Sequence, residues 1–386
     1  MTPSQDRASR GHTLGDGGGA APWSFFLIYL VAGTGFSIGL RGGWYTLLAP
    51  LGITFVAVPL LDALVGLNTE NPGETAPRRT ALAVFRLATW LAVPGQAAML
   101  LWGAHVVTRP SVGIVEILGT VASVGFTGGV VGITVAHELV HRSSRVDRLF
   151  SGVLLVLVGY LHWAIEHVAG HHHRVATPED PATARLGESL PAFVLRSLVG
   201  GFRSAWALGR IDGRGRWANR ALGCALLSCA PALALGLWLG PRAAVFFLAQ
   251  SAVAITFLET INYIEHYGLE RRMLRPGVYE RVKPIHSWNA SHRLTNAFLF
   301  NLQRHSDHHV WPRRAYYQLR HHADSPQLPL GYAGMALLAM VPPLWRRIMD
   351  PRVMAHRARM AATVITSLPS AAREPEEMDH EHAYQL

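Results

Sequence analysis

The stretch VGIVEILGTVASVGFTGGVVGITVAHELVH, residues 112–141, decides the fold class. Before His137 it carries a single charged residue, Glu116, and it is otherwise apolar or small along its whole length. A soluble amphipathic helix would show a polar stripe every third or fourth residue. An uninterrupted run of this length instead matches the roughly 17–25 residues that a bilayer-spanning helix needs. Five more runs, nearly free of Lys, Asp and Glu, lie at 24–40, 44–61, 84–107, 221–240 and 243–264. The pattern predicts an all-α integral membrane protein with about six transmembrane helices.

Around those runs the chain divides simply. Residues 1–22 are Gly-rich and polar, and 366–386 are charge-rich; both are expected to be disordered, flanking a single transmembrane domain over 23–365. The first run starts too far from the N-terminus for a cleaved signal peptide, so it reads as a retained span. Two shorter runs, 149–161 and 333–345, are too short to cross and suit interfacial or re-entrant helices. Cys224 and Cys229 fall inside the fifth run and read as buried packing residues, neither disulfide nor redox pair.

Net charge is +10 and the isoelectric point about 10.2. A basic balance can mark a nucleic-acid binder, but here the arginines sort by membrane face. The connections 41–43, 108–111 and 241–242 hold one each, Arg41, Arg109 and Arg242. Nearly all the rest lie in the N-terminal segment, the 62–83 loop and the segments after 136 and 264. The positive-inside rule makes those regions cytoplasmic, with both termini, as in a bacterial inner membrane. No nucleic-acid module is indicated.

The histidines are distributed just as unevenly. Of 20, thirteen lie between 137 and 309. HELVH supplies His137 and His141, EHVAGHHH supplies His167, His171 and His172, NYIEHYG supplies His266, and LQRHSDHH supplies His305, His308 and His309. Topology permits all four groups on one face. If 149–161 does not cross, the fourth and sixth spans both end on the arginine-rich side. Spacing agrees, because residues three or four apart share a helix face. That rule pairs His137 with His141, His167 with His171, and His305 with His308 and His309.

Nine imidazoles exceed what one zinc takes and match two ions with four or five ligands each. Two histidine-bound irons at a membrane surface point to dioxygen chemistry. Glu138, Glu265 and Asp307 lie within the motifs, where they are expected to accept hydrogen bonds from ligand rings. HELVH also matches the zinc-protease pattern, with the Glu as general base, but that reading leaves the other groups unexplained.

The motifs HELVHR, EHVAGHHHRVATPEDPATAR, NYIEHYGL and LQRHSDHHVWPRRAYYQL resemble the membrane alkane 1-monooxygenases, within the wider superfamily of integral-membrane desaturases and hydroxylases. The likeness runs over about 55–355. It implies two non-haem irons bound by the nine histidines, with O2 and a hydrophobic alkane from the lipid bilayer as substrates. The electron donor it implies is rubredoxin, itself reduced by an NAD(P)H-dependent rubredoxin reductase. The chain lacks CxxC pairs and a cofactor fingerprint, so that donor is expected to be separate. Xylene-type methyl hydroxylation and fatty-acyl desaturation stay open as alternatives. Two positions depart from the family pattern. Arg142 stands where Lys is usual, and Val310 where Ala is usual. Trp44, Trp90 and Trp102 are candidates to set channel length. Asp62 reads as a helix-end charge or a polar group near the site. Arg313, Arg314 and Arg320 lie where an acidic electron carrier could dock.

Overall fold

The structure is a computed structural model that describes residues 21–73, 77–210 and 218–367. The segments expected to be disordered lie almost entirely outside those residues.

Among the described residues, six helices are long and apolar enough to cross a membrane: α1 (Pro22–Gly39), α2 (Leu48–Val65), α3 (Arg79–Val107), α4 (Ile114–Val140), α8 (Arg220–Leu239) and α9 (Pro241–His266). They fall within a few residues of the six apolar runs. Leu226, Leu233 and Leu237 on α8 and Leu60 and Leu64 on α2 are exposed, as lipid-facing residues are. Cys229 is also exposed and Cys224 only half-buried. They therefore lie on the outer surface of the bundle, contrary to the packing role expected of them, because α8 is a peripheral helix.

α4 and α9 form the inner pair. Glycines on α4 let them approach closely. A Cβ at Gly125 would meet the Gln250 carbonyl oxygen at 2.5 Å, and one at Gly129 would meet the Ala254 carbonyl at 3.1 Å. Small residues at such crossings allow backbone-to-backbone packing in lipid.

Between the spans lie helices that are not among those both long and apolar enough to cross: α5 (Arg145–Leu157), α6 (residues 163–174) and α7 (Leu190–Leu208). α5 occupies the 149–161 run and is capped by Ser144, whose hydroxyl accepts from the Asp147 N–H. The histidines at the ends of α4 and α9 adjoin those of α6, which puts these three ends on the same side of the bundle. A two-stranded hairpin, β1 (Met273–Arg275) and β2 (Val278–Tyr279), follows α9.

The cap is completed by α10 (Arg293–Phe298), α11 (His305–Val310), α12 (Tyr332–Ala339) and α13 (Pro342–Ser367). α12 ends just before the Pro pair, which opens α13. It is more buried than an interfacial segment: Tyr332, Met335, Ala336 and Ala339 pack with Tyr263, Trp288 and Trp345.

Asp62 resolves as the second of its expected alternatives, a polar group near the site, since its partner Thr295 lines the cavity beside His137 and His305. It is buried in α2 and accepts from the backbone N–H groups of Leu294 and Thr295 at 3.1 and 3.0 Å, and from the Thr295 hydroxyl. A carboxylate supplied by α2 thus satisfies the free amides of the first turn of α10, which have no intrahelical partner.

Candidate metal centre

The nine histidines come together as two neighbouring groups. His137, His141, His167, His172 and His308 form one, and His171, His266, His305 and His309 the other; within each, the ligand atoms all lie within 4.8 Å of one another. The groups abut, with the His172 ring 4.6 Å from that of His309.

In the first group the Nε2 atoms of His141 and His167, His167 and His172, and His172 and His308 are each 3.1 Å apart. In the second, the His266–His305 separation is 3.1 Å and His305–His309 is 2.8 Å. Such a chain, in which every contact is Nε2 to Nε2, cannot be satisfied by hydrogen bonds alone, since the Nε2 of a neutral ring carries either a proton or a lone pair and not both. Two nitrogens bound about 2.1 Å from one ion, roughly at right angles, would stand about 3 Å apart. The Nε2 atoms of His137 and His171 are buried without any hydrogen-bond partner. The donor set therefore fits two nitrogen-liking cations.

The local helix form sets the partition. Residues His167–His171 make a π-type turn, in which the backbone bonds reach from i to i+5. That places His167 and His172 on one face and sends His171 to the other group. The α-helical expectation that His167 and His171 share a face is therefore wrong. A second π turn, Gly128–Ile133, precedes His137 on α4. In α11, His308 joins the first group, while His305 and His309, one turn apart, join the second. The chain enters α11 through Phe300 and Asn301, both left-handed at φ 51° and 56°, with the Asn301 amide donating to the Tyr316 carbonyl. Backbone strain of this kind gathers at functional sites.

Electrostatics keep the rings ready to bind. Burial pushes His167, His172, His305, His308 and His309 well below the ordinary histidine range. His141 is lowered to about 3, chiefly by burial and then by Arg142 and His171. Neutral rings offer lone pairs to a metal. His171 differs: burial lowers it, but the charge and hydrogen bond of Asp180 outweigh that and raise it. The His171 Nδ1–H donates to Asp180 Oδ2 at 2.8 Å, so its Nε2 lone pair faces the second group. Asp180 is itself held by the Thr183 hydroxyl at 2.6 Å. Sequence reasoning missed this residue, although it lies in the quoted VATPEDPATAR motif.

The three carboxylates singled out from sequence behave differently from expectation. Glu138 accepts from the Arg142 guanidinium and the Tyr316 N–H. Asp307 accepts from Arg314 at 2.5 and 2.7 Å, the Arg320 N–H at 3.0 Å and His322 at 2.7 Å. Helical phase explains both, since position 138 sits about 100° from 137, and 307 about 200° from 305. Both bind arginines that brace the site. Glu265 does reach a ligand ring, but at the front: its Oε2 is 3.2 Å from His305 Nε2, and its Oε1 accepts from the Tyr332 hydroxyl at 2.7 Å. A Glu138 committed to Arg142 is also unavailable as a protease base.

Beside the histidines lies a mostly apolar cavity of about 70 Å³, whose wall includes His137, His167, His305 and Glu265. A second, of about 60 Å³, shares Ile28, Val31, Thr54 and Val130 with the first. Its wall includes Phe36 and Trp102, whose rings meet edge-on at 4.8 Å. Together they run from the metal groups into the bundle. Trp44 is exposed, and Trp90 donates from Nε1 to Asp147, so neither lines this path.

The fatty acid desaturase family model matches residues 112–339, which hold all nine histidines. Alkane 1-monooxygenase 2 of Pseudomonas aeruginosa is 43% identical over 317 residues, covering 80% of this chain and 84% of that protein. The chain belongs to the alkane 1-monooxygenase family. Alkane 1-monooxygenase 1 of Alcanivorax borkumensis is 41% identical, covering 85% of this chain and 81% of its own. The xylene/toluene monooxygenase hydroxylase component XylM of Pseudomonas putida is more distant, at 27% over 83% of this chain and 86% of its own. The protein is thus an integral membrane oxidoreductase of the monooxygenase type.

One prediction arises directly from the site. Asp180→Ala frees the His171 ring to rotate and removes its hydrogen-bond acceptor. Loss of such an outer partner typically weakens metal binding about 10–100-fold. Chelator titration of the purified protein should show one ion released at lower chelator concentration than in wild type, and unchanged release would refute the role.

Proposed function

We propose that this chain hydroxylates the terminal methyl group of alkanes, holding two non-haem irons in the five- and four-histidine groups. The single observation that carries the reading is the convergence of nine imidazoles, seven of them buried, beside apolar cavities in the bundle. The kinship with alkane 1-monooxygenases supports it. When bound, the irons would supply the redox steps that let O2 attack an unactivated C–H bond.

The rest is the work of the chain. A terminal methyl offers no polar handle, so shape must orient it. Ile28, Val58, Ile133 and Phe298 line the first cavity and leave a hydrocarbon little choice but to lie along it. The imidazoles face its inner end from α4, α6 and α11. The apolar wall also keeps bulk water from the reacting carbon. Substrate would enter from the lipid, where alkanes dissolve.

Incubation with octane and ¹⁸O2 tests the assignment. One labelled oxygen in a primary alcohol is the expected product, whereas an unlabelled alkene would mark a desaturase. An aromatic-methyl hydroxylase would prefer xylene under the same conditions. Substrate length should respond to the bulky residues that line the second cavity. Trp102→Ala removes the ring that faces Phe36 and should shift preference toward longer alkanes, by about tenfold in relative kcat/KM. An unchanged chain-length profile would exclude Trp102 as the stop.

Electrons are proposed to come from a rubredoxin at the cytoplasmic face. Of the three arginines suggested for docking, Arg314 is paired with Asp307 and stacked over Trp311 at 4.4 Å. Arg320 is half-buried and Arg313 exposed. Arg313→Glu should therefore raise the KM for rubredoxin severalfold without changing metal content, and an unaltered KM would place docking elsewhere.

A further inference from the structure

Hydroxylation as proposed consumes protons: RCH3 + O2 + 2 e⁻ + 2 H⁺ gives RCH2OH + H2O. We propose that Glu259 is the proton relay residue that serves the metal cavity, drawing on a water held in a small side cavity and passing its proton across Asn262. This inference rests on the oxygenase reading.

Glu259 lies within α9 and is 2% exposed. Its three hydrogen-bonding partners are neutral: the Ser197 hydroxyl at 2.6 Å, the Tyr160 hydroxyl at 3.2 Å and the Asn262 amide at 3.3 Å. No arginine or lysine pairs with it among the described residues. An ionised carboxyl in such a place is costly, and ionisable groups inside membrane spans mark proton paths far more often than packing. Nothing in the metal site or the substrate path uses it.

Two observations give it a route. First, a cavity of about 10 Å³ lies against Glu259, Tyr160, Ser197 and His162. That is about the room one water requires, and these side chains supply the polar partners such a water needs. His162, half-buried, also lines this cavity, and its Nδ1 is buried without a partner. Second, Asn262 and Trp163 line both this cavity and the larger one at the histidines. The partition between proton source and reaction chamber is thus a single layer made of these two side chains, and one of them, Asn262, is hydrogen-bonded to Glu259. Glu166 also faces the small cavity, but it is held by Arg174 at 3.0 Å and directly precedes the ligand His167, so the relay is not assigned to it.

In each transfer the Glu259 O–H bond breaks toward a water on the reaction side of Asn262. The carboxylate regains a proton from the water in the small cavity, and the hydroxide left there takes up a proton from bulk solvent, so each transfer moves one solvent proton inward. The two protons delivered in this way are accounted for by the water product, since the alcohol retains the three hydrogens of the methyl group.

Holoenzyme is assayed with octane, O2 and reduced rubredoxin, following alcohol, peroxide and solvent isotope effect, with bound metal measured by elemental analysis. Glu259→Gln preserves shape and should keep wild-type metal content while losing about 10²-fold in alcohol formation. Peroxide should rise in compensation. Glu259→Asp should recover a large part of the rate with an increased solvent isotope effect. Asn262→Leu should uncouple similarly. Infrared spectroscopy supplies a readout apart from turnover: the C=O stretch of a protonated carboxyl, shifted in D2O, should be present in wild type and Asn262→Leu and missing from Glu259→Gln. Wild-type rate and coupling in Glu259→Gln, or loss of metal in step with activity, would overturn the relay. So would absence of that band from wild type, even in a preparation that makes no alcohol. Failure of wild type to label an alcohol would instead defeat the oxygenase reading.

Discussion

His308→Ala and His305→Ala are expected to lower bound metal from about two ions per chain to about one, each from a different group, and both to abolish alcohol formation. The two residues sit three apart on α11, yet their rings serve opposite groups. His308 removes one of five donors and His305 one of four. The second loss should be more severe, because three imidazoles remain where the first variant leaves four. Elemental analysis with titration by a chelator distinguishes the cases. His322→Ala provides the control: it sits beside Asp307, outside both groups, and should keep full metal. If both substitutions left two ions bound, the partition into two sites would be wrong. A single zinc, kept in His308→Ala and lost in His137→Ala, would revive the protease reading.

Gly125→Val should prevent the bundle from closing. The new Cβ would sit 2.5 Å from the Gln250 carbonyl oxygen and 2.7 Å from the Val253 Cβ. Neither is the flexible end of a side chain, so α4 and α9 must separate. Overpacking typically costs about 1–3 kcal/mol even where side chains can yield, against a total stability of about 5–15 kcal/mol. The effect reaches the site because α4 carries His137 and α9 carries His266. Little folded protein should accumulate in membranes, and what does should hold less metal. Gly33→Ala is the matched control, with nothing within 4 Å of its added Cβ. Wild-type accumulation and metal content in Gly125→Val would refute the close crossing.

Some of the site was legible without coordinates because its signals are local. Spacings such as H-x-x-x-H and the run of apolar residues before it need only the helical repeat to interpret. The errors came where a neighbour from elsewhere in the chain, or a departure from the α-helical repeat, decided the outcome. Glu138 and Asp307 look like partners of adjacent histidines, but helical phase turns them toward Arg142 and Arg314. Asp62 ends an apolar run and looks like a boundary charge, yet it caps a helix more than two hundred residues further along. Asp180 carries no periodic signal; only the fold of its turn brings it to His171.

Sequence by itself determined that the chain is a helical membrane protein and that nine imidazoles are available near one face. Crossing a bilayer depends on the length of an apolar run, and the number of donors depends on composition, both of which are written along the chain. Tertiary structure decided how those nine divide. A π turn rotates His171 away from His167, and the glycine-lined crossing of α4 with α9 brings His137 and His266 into adjoining groups. It also decided that Glu259, one polar residue in a long apolar helix, adjoins a cavity one water wide behind the histidines. Such outcomes depend on the phase and approach of helices distant in sequence, which only packing sets.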